Sequence, residues 1–387
     1  MSEDDFWKIS ACLHLANNAD PESKTNKLHK IETFHQMFET LWQRFYVLNC
    51  DLTIDEAIIP YSGRLSFLQF IKGKPTRWGI KAFLLASSDT GYVYRMKIYA
   101  GKEKEKSNIK GLVENMLQNL EENAHIVYMD NYYTSIDLLR SSRKKKIRCT
   151  GTLRKNRIKN VELAHKFSKE HKGSIKFYTN ASHLDLNLLM WKDAREVFML
   201  SNHRDSSIEE VEIKQNETIV YKKVPTMRQY YNKKCRGVDH ANQCCNNYRY
   251  NHKQYKWWKP VFDEIIQITF SNLYIIHKYL SNSPMKRLDF FLKIIKFLIF
   301  EEVIERPLPT IIHYLDYVPL KKLNLQRNNE NIAEEAVVGR KDFRLNCRVL
   351  NCKKKTEFHC VGCSKINFIC ALCLQNSIFI FGLILKK

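Results

Sequence analysis

The 387-residue chain contains no apolar run able to cross a bilayer. Its longest such runs, "FFLKIIKFLIF" (290–300) and "SIFIFGLILKK" (377–387), are too short or too charged. The opening "MSEDDFWKIS" is acidic and lacks the apolar centre of a secretory leader. Together these absences predict a soluble intracellular protein with no membrane partner. Disulfides are disfavoured in that setting, so the twelve cysteines are expected to be thiols or metal ligands. Acidic residues are in deficit as well: 41 Asp and Glu face 63 Lys and Arg, a formal charge of +22. Such an imbalance fits a polyanionic partner, nucleic acid before anionic membrane.

Hydrophobic residues make up 44% of the chain, enough to fill the core of two or three domains. Residues 1–50 read as a helical segment, with Ile31, Phe34, Met37, Phe38, Leu41 and Phe45 at helical spacing. Residues 51–155 change to alternation and short apolar runs. Strands are expected at "LTIDEAII", "GIKAFLLAS", "GYVYRMKIYAG" and "HIVYMD", and helices at 108–123 and 135–145. Strands interleaved with helices predict an α/β core with a mixed sheet. Residues 156–225 are polar and read as an insertion and a return to the core, with a strand at 196–202. Helices are expected over 226–320, including a long amphipathic one at 258–280 with Pro260 near its first turn. A polar linker (321–340), a cysteine-rich module (341–375) and an apolar tail (376–387) complete the chain.

Three aspartates stand out. Asp55 ends the alternating "DLTID", Asp130 ends the apolar "HIVYMD", and Asp239 enters a helix in "CRGVDHANQCC". Functional groups of open α/β sheets gather beyond the carboxyl ends of strands. Phosphoryl transfer on nucleic acid commonly uses two divalent ions held by hard oxygen ligands, and short aspartate side chains suit that task. Each residue also has an ordinary reading. Asp55 suits a strand-end turn, Asp130 an Asx turn, and Asp239 a helix N-cap with Asn242 in a capping box. The residue pattern leaves both readings open.

The cysteine module is more specific. Cys347, Cys352, Cys360, Cys363, Cys370 and Cys373 form one C-x4-C and two C-x2-C pairs, the spacing of thiolate zinc chelation. With His359 as a candidate seventh ligand, one tetrahedral site is complete and a second is short. Basic side chains cluster elsewhere. "RKKKIRCTGTLRKNRIK" (143–159) carries nine Lys or Arg, among them Lys144, Lys145, Lys146, Arg154, Lys155 and Arg157. "YRYNHKQYKWWK" (248–259) mixes aromatic residues with Lys253 and Lys256. The first suits phosphate contacts; the second suits backbone contacts or base stacking, unless Trp257 and Trp258 serve core packing.

Three blocks carry a family resemblance. "TIDEAIIPYSGRLSFLQFIKGKPTRWGIKAFLLASSDTGYVYRMKIYAGK", "VYMDNYYTSIDLLRSSRKKKIRCTGTLRKNR" and "YYNKKCRGVDHANQCCNNYRYNHKQYKWW" resemble, in order, the catalytic blocks of piggyBac-type transposases and the host proteins derived from them. The likeness covers about residues 25–280, and a Cys-rich tail is a further family trait. It implies a ribonuclease H-like core with an insertion domain and an Asp-Asp-Asp site, here Asp55, Asp130 and Asp239, loaded with Mg²⁺ or Mn²⁺. It also implies a zinc module, strand cleavage and joining of DNA at TTAA sites, a homodimer, and a nuclear location. Three departures are expected to matter. Asn242 stands where many relatives carry a fourth carboxylate, most of the family's N-terminal region is missing, and the tail lacks the histidine that completes the second zinc site. The alternative is a domesticated or decayed DNA- or chromatin-binding protein that keeps the fold without catalysis.

Overall fold

The computed structural model describes residues 2–72, 76–101, 109–120, 125–158, 160–180, 183–203, 206–215, 218–249, 254–281, 284–300, 315–317, 345–346, 355–356 and 358–360. Two compact units result: Met1–Trp42 with Leu48–Ser271, and Gln43–Val47 with the chain from Asn272 onward.

In the first unit, helices α1 (Glu3–Cys12) and α2 (His29–Phe45) precede strands β1 (Asp51–Pro60), β2 (Gln69–Phe70), β3 (Trp78–Ser87) and β4 (Val93–Ile98). Next come α3 (Ile109–Met116), β5 (Ile126–Met129), α4 (Ile136–Lys144), β6 (Arg148–Thr152) and α5 (Val161–Ser168). Then follow β7 (Ile175–Asn180), β8 (His183–Lys192), β9 (Glu196–Ser201), β10 (Ile208–Gln215) and β11 (Thr218–Pro225). Helices α6 (Thr226–Lys234), α7 (Gly237–Asn246) and α8 (Trp258–Ser281), the last of which runs into the second unit from Asn272, complete the series.

Nine strands form one sheet in the order β2-β3-β1-β5-β6-β9-β8-β7, with β4 also paired to β3. β1–β5 and β5–β6 are parallel and the other pairs antiparallel, so the expected mixed sheet is present. Strands β7 to β9, from the segment read as an insertion, extend this same sheet. β10 and β11 pair only with each other.

Alternation decides which helices cover which face. Leu52 and Ile54 of β1, Phe83 and Leu85 of β3, and Val127 and Met129 of β5 pack with Val113 and Met116 of α3 and Leu138 and Leu139 of α4. On the opposite face, Ile126 and Tyr128 join Leu189, Trp191 and Met199 against Met227 and Tyr231 of α6. α2 buries Ile31, Phe38, Leu41 and Trp42, whereas Met37 of the expected stripe remains 38% exposed. Trp42 takes its place in the core and donates its indole N–H to Thr269 Oγ1 at 3.0 Å.

The strand expected at "LTIDEAII" is present: its antiparallel ladder with β3 holds from Leu52 to Pro60, so Asp55 ends the alternation of "DLTID" but not the strand. One expected boundary shifts. The helix expected over 108–123 is described only as Ile109–Met116, and Asn119 just beyond it adopts the left-handed φ of 64°.

In the second unit, the Phe290 ring of α9 (Arg287–Phe300) lies 5.6 Å from Tyr274 and 4.7 Å from His277. Short strands β12 (Leu315–Tyr317), β13 (Leu345–Asn346), β14 (Lys355–Thr356) and β15 (Phe358–Cys360) pair as β12–β15 and β13–β14. His359 and Cys360 belong to β15; Cys347, Cys352, Cys363, Cys370 and Cys373 lie outside the described residues, as do the linker and the apolar tail. Among the described residues no helix is long and apolar enough to cross a membrane.

Candidate active site

Parallel pairing brings two of the aspartates together. The β1–β5 register ends at Ile54 opposite Met129, and Asp55 and Asp130 are the next residue on each chain. Asp55 alternates in phase with Thr53, and Asp130 with Tyr128, so both follow the face that α6 covers. Asp55 therefore sits in mid-strand, at the point where its neighbour β5 has ended.

The surroundings of Asp130 disfavour its charge. Burial raises its pKa, and the nearby Glu56 carboxylate raises it further. The Tyr132 backbone N–H, which donates to Asp130 Oδ1 at 2.7 Å, partly offsets this. That bond makes the Asx turn the sequence suggested, and Thr134 Oγ1 closes it by donating to the Asp130 carbonyl at 2.8 Å. Two phenols edge the pair. Tyr133 donates to Glu56 Oε2 at 3.4 Å, and its pKa is raised by burial and then by Glu56, Asp55 and Asp130. Tyr231 of α6, buried and beside Asp130 and Asp55, is raised mainly by burial. It went unnoticed in the sequence, where "QYYNKKC" differs little from any polar helix.

Arg157 organises the turn after Asp130. Its guanidinium donates to the carbonyls of Asn131 (2.9 Å), Thr134 (2.5 Å) and Tyr132 (3.1 Å). One planar fork thus fixes three successive corners of the loop, which a lysine cannot do. Arg157→Gln is expected to destabilise the fold by about 2–3 kcal/mol, the scale of losing charged hydrogen bonds and stranding their acceptors. Urea denaturation measures this, and an unchanged midpoint would remove the role.

The end of α6 and the start of α7 are fastened over β1 and β3. Lys234 bridges Asp51 (2.9 Å) and Asp89 (2.6 Å), and Thr53 Oγ1 donates to the Lys234 carbonyl at 2.9 Å. Burial lowers the Lys234 pKa, but bonds to Asp89 and Asp51 outweigh it and the net shift is upward. Gly237, the first residue of α7, lies so close to the sheet that a Cβ there would meet Ser87 O at 2.7 Å and Thr53 Oγ1 at 3.0 Å. Asp239 is the third residue of α7 and exposed, with Asn242 one turn on. The N-cap reading of Asp239 is therefore corrected: the close approach at Gly237 starts the helix two residues earlier, and Arg236 takes the cap position. Among the described residues, no three His, Cys, Asp or Glu side chains gather closely enough to hold one ion. Asp55 and Asp130 form a pair, and Asp239 stands apart on the helix crossing the same face.

The basic stretch 143–159 is divided by the fold. Lys144, at the end of α4, and Lys145 and Lys146, in the turn that leads into β6, are all exposed, beside the start of β5. Arg154, Lys155 and Arg157 follow the far end of β6, at the Asp130 end of the sheet. Lys155 pairs with Glu196 at 3.1 Å. Further on, Lys256 donates to the Ala11 carbonyl, Trp257 rests edge-on against Phe67, and Trp258 is buried. Lys253 lies outside the described residues.

The family described as Transposase IS4, of the DDE type, matches residues 1–274. The chain belongs to this DDE transposase family. Similar human proteins are PiggyBac transposable element-derived protein 3, 25% identical over 94% of this chain, and protein 2, 23% identical over 71% of it. The chain spans 61% and 48% of their respective lengths. Among solved structures, the cryo-EM piggyBac transposase synaptic complex with hairpin DNA is similar, with a TM-score of 0.69 and 23% identity. That match covers 96% of this chain and 78% of the other, and it shows a shared fold.

Proposed function

We propose that this chain acts on double-stranded DNA as a piggyBac-type transposase. Divalent-metal-dependent strand cleavage and transfer would take place at element ends and TTAA targets, in a nuclear homodimer. The observation that carries the reading is the parallel register that sets Asp55, within β1, beside Asp130, just past the end of β5, beneath the helix that bears Asp239. Two carboxylates completed by water and phosphate oxygens suit Mg²⁺ or Mn²⁺, and the charge crowding at Asp130 is what a bound cation would relieve. Bound there, the metal would supply activation of the attacking oxygen and stabilisation of the leaving oxygen. The chain's own residues do the rest. Asp55 and Asp130 present hard oxygen donors, the Arg157-braced turn holds Asp130 in place, and α7 contributes Asp239. The test is a labelled TTAA-flanked element end incubated with the protein and Mg²⁺ or Mn²⁺. Cleavage by the wild type that disappears in Asp55→Asn supports the reading; an uncut end beside an active full-length relative refutes it.

Asn242 motivates a second reading, a DNA- or chromatin-binding protein without catalysis. It offers a carbonyl oxygen but no charge one helical turn beyond Asp239. Asn242→Asp is expected to lower the Mg²⁺ concentration for half-maximal cleavage about tenfold, the scale of groups that support metal ligands. Failure of both wild type and Asn242→Asp to cut, with DNA binding indifferent to Asp239→Ala, selects the non-catalytic protein. The six clustered cysteines with His359 are proposed to hold zinc. Metal analysis of the purified chain should find bound zinc that thiol modification releases, and a zinc-free protein removes the assignment.

A further inference from the structure

One cation in the core sheet is explained neither by packing nor by the aspartate site. Along β3, every position from Gly79 to Ser87 is buried except Lys81, in the middle of "GIKAFLLAS". An aliphatic residue there would continue the apolar strand. Instead the Lys81 ammonium lies 4.8 Å from the centre of the Phe83 ring and 4.7 Å from that of Tyr132. A second cation meets the same phenol: Arg154 Cζ is 5.9 Å from the Tyr132 ring centre. Arg154 Nε donates to the neutral amide of Asn131 at 3.1 Å. Among the described residues neither cation forms an ion pair with a carboxylate. Tyr132 is two residues from Asp130, and the Arg154 charge reaches Asp130.

We propose that Lys81 and Arg154, gathered on the Tyr132 ring beside Asp130, form a phosphate-binding site that holds the DNA backbone next to Asp130. The proposal rests on DNA as the substrate and deepens that reading by naming where a phosphodiester is gripped. Glu56 and Asp130 place two carboxylates near the Tyr132 ring, and a polyanion approaching them meets repulsion. Two cations that form no salt bridge among the described residues oppose it. The ring orients both: it attracts each cation through its face without cancelling its charge, unlike a carboxylate partner. Lysine then offers a point charge and arginine a planar fork to adjacent phosphate oxygens.

The competing explanation is that the Lys81 stem merely covers Phe83 and Tyr132. Fluorescence anisotropy of a short labelled duplex, measured in EDTA across a salt series, separates the two without needing catalysis. Each lost phosphate contact reduces the slope of log affinity against log salt by about 0.9. Lys81→Met keeps the stem and removes the charge, so it should lower the slope by about 0.9 and weaken low-salt binding severalfold. Lys81→Arg should restore the slope, and the Lys81→Met/Arg154→Met double variant should lower it by about 1.8. Arg154→Met alone, at an exposed position, tests the site even if Lys81→Met folds poorly. Wild-type slope and affinity in Lys81→Met, or in Arg154→Met where Lys81→Met does not fold, would overturn the phosphate site and leave the DNA reading standing. A wild-type chain with no salt-dependent binding to DNA would overturn both.

Discussion

Asp130→Asn should abolish cleavage and raise the melting temperature at the same time. The loss of activity is set at about 10³-fold, because metal stabilisation of several kcal/mol converts at tenfold per ~1.4 kcal/mol. The gain in stability follows from the sign of the pKa shift. Burial and Glu56 raise Asp130 above its ordinary value, so its charged form is disfavoured in the folded state. That penalty is absent below the unfolded carboxylate pKa of about 3.9, grows as pH rises from there towards the raised folded value, and is complete above it. Asparagine removes the charge and keeps the oxygen that accepts from Tyr132 N–H. Calorimetry in EDTA should therefore show a rise of about 2 °C at pH 7 that fades towards pH 4. A lower melting temperature at pH 7 would refute the crowding account. A natural residue that costs stability where a neutral one would not is typical of a functional position.

Gly237→Ala should do the reverse, lowering both stability and cleavage. Helix propensity alone predicts a gain of up to about 1 kcal/mol when alanine replaces glycine. Sterics opposes it with more force. The new Cβ would lie 2.7 Å from the Ser87 carbonyl and 2.9 Å from Ser88 Cα, and these backbone atoms cannot turn aside. Overpacking of this kind costs about 1–3 kcal/mol and is relieved only by lifting α7, and Asp239 with it, off β1. Gly111 of α3 is the control, because nothing lies within 4 Å of its absent Cβ. Gly111→Ala should stabilise by a few tenths to about 1 kcal/mol and leave cleavage unaltered. Equal effects of the two substitutions on urea midpoints would show that contact with the sheet does not decide the position of α7.

Much of the α/β core was legible because its signals are local. The apolar runs that became β3 and β5 needed only composition, and α8 only its period. Asp130 was readable for the same reason, since the apolar strand before it and the Asx-turn residues after it lie within a few positions. Asp55 closes the alternating part of its strand, and the β3 ladder carries β1 five residues further. The Gly-Val-Asp run was visible, yet the start of its helix depended on how near Gly237 comes to Ser87 and Thr53. The basic stretch looked like a single surface, and β6 separates its lysines from Arg154, Lys155 and Arg157.

The sequence by itself determined the polyanion-seeking charge, the strand-and-helix alternation and the aspartates worth following, because each depends on residue type and near neighbours. Tertiary structure alone decided that Asp55 and Asp130 stand together, that Arg157 grips the turn between them and the basic loop, and that Lys81 meets Arg154 on one ring. Those pairings range from Arg157 and Thr134, 23 positions apart, to Asp55 and Asp130, 75 apart (130 − 55), and the register of the sheet strands, set by burial on both faces, brings such distant side chains together.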